Sequence, residues 1–126
     1  MKYFFILLLF LIRLEAADVV KDKNLEWQDN REAKEEIWKM ARGYCAQLRV
    51  DGKSDWRLPT PKELQSLGKS HDLKNKFVFL EEGVYWSSKI DKDDEFSAIS
   101  VYSGNGFVSS SDKCDKYFVM CIRDIK

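Results

Sequence analysis

The chain has 126 residues, the length of one domain, and its 21 basic and 21 acidic residues give a formal net charge of zero at pH 7. This balance excludes the strongly basic field typical of proteins that bind nucleic acid or anionic membranes. Aromatic residues make up 13% of the chain and include four tryptophans, which is enough to build the core of one small domain.

The N-terminus has the pattern of a secretory signal peptide. A basic start is followed by the apolar run 3–12 and by the small residues Ala16 and Ala17. This run is about half the roughly 20 residues needed to span a bilayer. We therefore predict a signal peptide at 1–17 and a mature domain at 18–126 that has no transmembrane span and is periplasmic, secreted or displayed at the cell surface. Charged residues close to the cleavage site leave a retained anchor as the alternative.

Export places the cysteines in an oxidising compartment. There are three of them, Cys45, Cys114 and Cys121. At most one intramolecular disulfide can form, and one thiol is left over.

The first half of the mature chain predicts a short strand followed by an amphipathic helix. Asp18 to Lys23 reads as a loose lead-in, and Leu25-Glu26-Trp27 alternates as a short strand does. Apolar residues then recur every three or four positions from Glu32 to Leu48, which predicts a helix. Its predicted buried face consists of Ala33, Ile37, Met40, Ala41, Tyr44, Cys45 and Leu48, with Trp38 at the edge.

A central motif joins two elements at a fixed angle. It consists of Trp56, Arg57, Leu58, Pro59, Thr60 and Glu63. Pro59 favours extended backbone just before it, and Thr60 with Glu63 reads as the capping box of a helix. We predict that this helix runs from Pro61 to about Leu67 and ends at Gly68.

Arg57 has two readings. It could be a ligand-facing cation beside an aromatic shelf, or it could form a structural ion pair with Glu63 or Asp55. We favour the structural pair, because a partly buried arginine normally needs a carboxylate partner and both carboxylates are close in sequence.

The second half predicts antiparallel strands. Lys69 to Lys76 reads as a polar loop, and Phe77 to Leu80 as a strand or a core-covering loop. Strands are predicted at Val84–Ser88, at Phe96–Tyr102, in the return of a Ser103–Gly106 hairpin turn, and at Tyr117–Arg123. The inward set of the last strand is either Val119, Cys121 and Arg123 or Phe118, Met120 and Ile122. The fold class is α+β, with two helices packed on a small antiparallel sheet.

The residues then resemble those of a known family, the Lcl C-terminal domain. The resemblance rests on five stretches kept in order: Leu25 to Asn30, Trp38 to Cys45, Asp55 to Leu64, Tyr85 to Ser88, and Cys121 to Arg123. The family is a bacterial, mostly exported domain of unknown function. The resemblance implies a C-type-lectin-like fold, distantly related to the formylglycine-generating enzymes, and it implies binding more often than catalysis. In the collagen-like adhesin that names the family, it implies a sulfated polysaccharide as ligand.

The resemblance also implies a disulfide. In C-type-lectin-like folds the first helix is tied to the last strand, which here means Cys45 to Cys121 and leaves Cys114 as the odd cysteine. A short-range bridge from Cys114 to Cys121 is the alternative.

An acidic cluster supplies one candidate site. Asp91, Asp93 and Asp94 lie with Lys92 and Glu95 between two predicted strands. Spaced carboxylates can hold Ca²⁺, but the glycine of a tight calcium loop is missing and a lysine interrupts the run. The calcium-binding strings of sugar-binding C-type lectins are also absent. We favour a solvated hairpin tip and predict no metal site.

Aromatic residues on the β half supply a second candidate. Trp86 and Tyr102, with Tyr85 and Phe107, could stack on sugar rings or on a partner, although such residues more often fill the core. The single histidine, His71, lies in a polar stretch and reads as a surface loop residue. No cysteine–histidine spacing suggests zinc.

These observations favour a non-enzymatic binding module without a cofactor. Its ligand would be a polysaccharide or an envelope protein, contacted by residues 89–95 and neighbouring aromatics. One alternative is an assembly protein that uses Cys114 for an intermolecular disulfide. Another is an oxidase of the formylglycine-generating class, with copper at Cys114 and Cys121.

Overall fold

The computed structural model describes residues 19–31 and 34–126. The predicted signal peptide at 1–17 lies outside the described residues. Within the described ranges, no helix has both the length and the apolar character needed to cross a membrane.

The described residues form eight strands and three helices in two sheets. In chain order they are β1 Val19–Asp22, β2 Leu25–Gln28, β3 Lys34–Glu36, α1 Trp38–Gln47, α2 Pro61–Lys69, α3 His71–Lys74, β4 Val84–Ile90, β5 Ser97–Tyr102, β6 Val108–Asp112, β7 Tyr117–Val119 and β8 Ile122–Asp124. One sheet has the order β1-β2-β8 and the other the order β3-β7-β4-β5-β6. Strand pairs are antiparallel except β4 with β7. The predicted α+β class is confirmed.

Two hydrophobic clusters form the core. The first packs α2 against both sheets and contains Trp27 of β2, Leu67 of α2, Val101 of β5 and Ile122 of β8. The second surrounds α1 and contains Trp38, Trp56 and Trp86 together with the disulfide. Full burial of a large apolar side chain contributes roughly 1.5–3 kcal/mol. The tryptophans buried in these clusters are therefore a principal source of stability.

The disulfide joins Cys45 to Cys121, with Cα atoms 5.4 Å apart. This confirms the pairing that the family resemblance implies and excludes the Cys114–Cys121 alternative. Cys114 is a free, exposed cysteine.

The predicted helix from Glu32 to Leu48 is wrong in its first turns. Lys34–Glu36 is instead strand β3, which pairs with β7, and α1 begins at Trp38. The Trp38 N–H donates to the Lys113 carbonyl oxygen at 3.1 Å, so a tertiary contact determines where the helix begins. The helix therefore buries Trp38, Ala41 and Cys45, while Met40, which we predicted to be buried, is 55% exposed.

The predicted last strand, Tyr117–Arg123, is two strands in different sheets. The chain leaves β7 at Val119 and enters β8 at Ile122. Between them, the backbone N–H and carbonyl of Cys121 bond to the Gln28 side-chain oxygen and backbone N–H, respectively. Residues 119–123 are all buried, so neither predicted inward set applies.

Three smaller predictions are also corrected. Residues 19–22 of the predicted lead-in form strand β1, which pairs with β2 along its whole length. Helix α2 continues through Gly68 to Lys69, and Gly68 lies close against the backbone of Gly106. The predicted polar loop contains α3, which Ser70 caps by accepting from the Leu73 N–H. Finally, the open alternative at 77–80 is resolved as a core-covering loop.

Candidate functional site

The central motif is a structural joint. Thr60 Oγ1 accepts from the Glu63 N–H at 3.2 Å, and Glu63 Oε1 accepts from the Thr60 N–H at 2.8 Å, so the predicted capping box is present. Arg57 forms an isolated bridge with Ile122 of β8. The motif thereby connects α2 to the smaller sheet.

Arg57 uses its donors within the protein. Its Nη1 and Nη2 donate to Glu63 Oε1 and Oε2 at 2.8 and 2.9 Å, which is the predicted Arg57–Glu63 pair. Nε and Nη2 also contact Asp124, and Nη1 reaches the Leu58 carbonyl. The Glu63 hydrogen bonds raise the pKa of Arg57. Burial tends to raise the pKa of Glu63, but the hydrogen bonds and charge of Arg57 and the hydrogen bonds of Thr60 together outweigh burial and lower it. The five hydrogen bonds occupy the guanidinium, which favours the structural reading.

Asp55 forms an ion pair with a different arginine, Arg123. It accepts from Arg123 Nε at 2.7 Å, and Arg123 Nη1 reaches the buried Glu26 at 2.6 Å. The hydrogen bond from Arg123 lowers the pKa of Asp55. The predicted alternative of an Arg57–Asp55 pair is therefore not found.

The acidic loop 91–95 is held by its own carboxylates. Asp91 accepts from the Ser110 hydroxyl at 2.6 Å and from the Asp93 N–H, and the Ser110 bond lowers its pKa. Asp94 accepts from the Phe96 N–H and the Ser97 hydroxyl. In the described residues, no group of three or more His, Cys, Asp or Glu side chains is arranged to hold a metal ion. Asp91 and Asp94 act as turn caps, and Asp93 is exposed.

Two apolar side chains flank this acidic loop. Ile90 is 50% exposed and Phe96 is 68% exposed. Lys113 Nζ donates to the Glu95 carbonyl at 2.7 Å, and the Lys113 N–H donates to the Phe96 carbonyl. These bonds bring Cys114 close to the loop. We call the surface formed by Ile90, Asp93, Phe96 and Cys114 the hairpin tip.

The two aromatic candidates, Trp86 and Tyr102, lie in different parts of the domain. Trp86 is 0% exposed, and its Nε1 donates to the Glu36 carbonyl at 2.8 Å, so this residue belongs to the core and is withdrawn from the candidate surface. Tyr102 is half-buried and donates to Glu82 at 2.8 Å. It lies at the end of β5 opposite the hairpin tip, which at about 3.3 Å per residue is roughly 17 Å away. The proposed binding residues therefore do not form one site.

A groove beside α1 was not found by sequence reasoning. Its volume is about 430 Å³, and it is lined by Lys34, Glu36, Lys39, Met40, Gly43, Tyr44 and Gln47. The Lys34 ammonium lies 4.8 Å from the centre of the Tyr44 ring. The groove exists because β3 runs alongside the helix. The sequence pattern predicts Lys34 inside the helix, and for this reason it gives no indication of a groove between Lys34 and α1.

The groove belongs to a wider cationic surface, defined by Lys34, Lys39, Arg42 and Lys113. Arg42 and Lys113 lie 4.8 and 5.0 Å from the Trp38 ring centre. Helix α1 contains no acidic residue. None of the four cations forms an ion pair within the described residues. The only signal in the sequence was the absence of acids from 38 to 47.

The two sheets, the helix α1 and its disulfide to Cys121 define a C-type-lectin-like domain. The crystal structure of botrocetin is similar with a TM-score of 0.56 at 11% identity, and the match covers 86% of this chain and 97% of that chain. A second similar structure comes from a complex of botrocetin with a mutant von Willebrand factor A1 domain, with a TM-score of 0.52, 11% identity and the same coverage. Residues 18–123 match the Lcl C-terminal domain, and the chain belongs to that family. A search of curated proteins finds no significant match.

Proposed function

We propose that this chain is an exported, non-enzymatic binding module of the cell envelope, and that its ligand is an anionic polysaccharide held in the α1 groove. The observation that carries the proposal is the set of cations around α1 that have no acidic partner among the described residues. A cation that is not paired with a carboxylate keeps its charge available for a charge-assisted hydrogen bond to a sulfate or carboxylate of a ligand.

The groove has the three kinds of group that such a ligand needs. Lys34 and Lys39 supply positive charge, the Tyr44 ring supplies an apolar face, and the Gln47 amide supplies hydrogen bonds. Glu36 also lines the groove, which disfavours an anion next to its carboxylate and favours a ligand that runs along the lysine side. The sulfated polysaccharide implied by the family resemblance has the matching charge.

The test compares dextran sulfate with uncharged dextran of the same chain length. We expect the protein to bind the sulfated polymer, with an affinity that falls as salt is raised because exposed charges are screened. Replacing both Lys34 and Lys39 by Glu should weaken binding about tenfold or more, since each contact is worth roughly 1 kcal/mol. The control variant, Lys62→Glu with Lys92→Glu, has the same net charge as the Lys34→Glu, Lys39→Glu variant. It should bind the sulfated polymer like the wild type. An equal loss in the control would contradict the proposed site.

A protein partner at the hairpin tip is the second candidate. Phe96 and Ile90 offer exposed apolar surface on an internally bonded loop, with the Cys114 thiol nearby. The structurally similar botrocetin chain comes from a complex with a protein, which supports this reading. We expect a mixed disulfide that appears on non-reducing electrophoresis of cells making the full chain and disappears with Cys114→Ser. A band that migrates as a monomer under both conditions would remove the covalent form of this candidate.

A further inference from the structure

Of the four sheet edges formed by the described residues, three are protected from pairing with another chain. The edge strand β8 is covered by Arg57, which exchanges two backbone hydrogen bonds of 2.8 Å with Ile122. Strand β3 consists only of charged residues, and β1 carries Lys21 and Asp22. Charged side chains on an edge discourage a further strand from adding to the sheet.

The fourth edge strand, β6, lacks this protection. Its sequence is Val-Ser-Ser-Ser-Asp, with one charge at the end of the strand. Strand β6 pairs with β5 on one side, and no described segment pairs with the other side. A five-residue edge without a central charge is open to another strand.

The hydrogen-bond pattern identifies the groups on that open side. The Tyr102 N–H donates to the Phe107 carbonyl, and the Lys113 N–H donates to the Phe96 carbonyl. Because bonded and non-bonded pairs alternate in an antiparallel ladder, the backbone groups of residues 108, 110 and 112 point away from β5. All three residues are exposed.

We propose that β6 pairs with β6 of a second copy of this chain, antiparallel about a two-fold axis at Ser110. Ser110 then faces the partner's Ser110, and Val108 faces the partner's Asp112. These pairs supply six backbone hydrogen bonds and join five strands from each copy into one sheet. A two-fold axis makes the contact self-complementary and closed.

Charge complementarity favours a second copy of this chain as the partner that pairs with β6. Lys69 lines a groove of about 310 Å³ together with Gln65, Phe107 and Val108. The two-fold pairing brings the partner's Asp112 opposite Val108 and beside Lys69. Asp112 uses Oδ1 to accept from the Cys114 N–H at 2.8 Å, and its Oδ2 has no partner among the described residues. Each dimer would gain two such lysine–aspartate pairs, and the exposed Phe107 would be covered.

Sedimentation velocity of the protein expressed from the whole sequence, with two charge reversals, tests this arrangement. Lys69→Glu and Asp112→Lys each create two like-charge contacts in a homodimer, and each should weaken self-association about tenfold. An equimolar mixture of the two variants restores two opposite-charge contacts and should form a heterodimer with wild-type affinity. Lys62→Glu, a reversal elsewhere on α2, should leave the dimer unchanged. A monomeric wild type, or a mixture that stays monomeric when both variants are folded by circular dichroism, would overturn the proposal.

Disulfide trapping tests the register even if a charge variant does not fold. In a Cys114→Ser background, Ser110→Cys should form a covalent dimer under mild oxidation, because directly paired Cα atoms are about 5.5 Å apart. Ser109→Cys points to the other face and should not be trapped. Equal trapping of both variants, or of neither, would contradict the pairing.

Discussion

Arg123 and Glu26 lie directly opposite each other on β8 and β2, and their side chains are joined by a 2.6 Å hydrogen bond. Lys53 Nζ supplies a second contact to Glu26 at 3.1 Å. Burial tends to raise the pKa of Glu26, but the hydrogen bonds and charges of Lys53 and Arg123 outweigh burial and lower it. The smaller sheet is therefore fastened by a buried carboxylate that must stay ionised.

This arrangement predicts loss of stability in acid. A carboxylate whose pKa is lowered by folding stabilises the protein above its unfolded value of about 4.5, and this stabilisation is lost as the pH falls through the folded value. We expect the free energy of unfolding to decrease below about pH 4.5, and to decrease less steeply in Glu26→Gln. Urea denaturation at a series of pH values would measure both slopes. Identical slopes in the two proteins would assign the acid sensitivity to other groups, such as Asp55 and Glu63.

Two helical glycines predict opposite responses to alanine. A Cβ on Gly68 would overlap the backbone of Gly106, whereas a Cβ on Gly43 would meet no atom within 4 Å. Gly68→Ala should therefore destabilise the protein by about 2 kcal/mol, since overpacking outweighs the gain in helix propensity. Gly43→Ala should stabilise it by roughly 0.5–1 kcal/mol.

Thermal or urea unfolding of both glycine variants would measure these changes. The comparison is matched because both glycines lie in helices and receive the same methyl group. Stabilisation by both substitutions would show that the backbone segments at Gly68 and Gly106 can move apart to accept the added methyl group without loss of stability.

The disulfide predicts a large stability difference between the oxidised and reduced proteins. It closes a loop with a sequence separation of 76, worth about 4 kcal/mol in the chain-entropy model. Replacing Cys45 and Cys121 by Ala should lower the free energy of unfolding by that order. Urea denaturation with and without reductant would give the same difference for the wild type. Cys114→Ser is the control and should leave the curve unchanged, because the Cys114 thiol is exposed.

The capping box predicts a smaller, local effect. Thr60→Ala removes the oxygen that accepts from the Glu63 N–H, and loss of such a cap costs about 1 kcal/mol. Lys62→Ala, a change at the exposed second residue of the same helix, should stay within about 0.5 kcal/mol of the wild type. If the two variants had equal stabilities, as measured by urea denaturation, then Glu63 alone would be sufficient to begin the helix.

Structural features that depend on a few consecutive residues could be predicted well from the sequence. Thr60, Pro61 and Glu63 are a complete helix start, and the Ser103–Gly106 turn forms between alternating strands, because both rest on local backbone preferences. The Arg57–Glu63 pair followed from the same short range. The disulfide came from the family resemblance, since spacing alone left Cys114–Cys121 open.

The errors arose where distant residues decide local structure. Residues 34–36 have no strong strand signal of their own. They form β3 because they can make backbone hydrogen bonds with β7. Met40, predicted to be buried, is exposed, and Trp38, predicted at the edge of the buried face, is buried, because Trp38 packs into the core and donates to the Ser87 carbonyl. The groove beside α1 was missed for the same reason, since its two walls are different elements.

The sequence by itself determined the class, the family, the central joint and the balance of charge, because these depend on residue types and on spacings of a few positions. Only the tertiary structure decided that the last strand divides between two sheets, that Trp86 is core, and that β6 is left as an open edge. Each of these depends on which distant backbone groups complete the hydrogen bonds of a segment. That choice is made by the packing of the whole domain rather than by the segment alone.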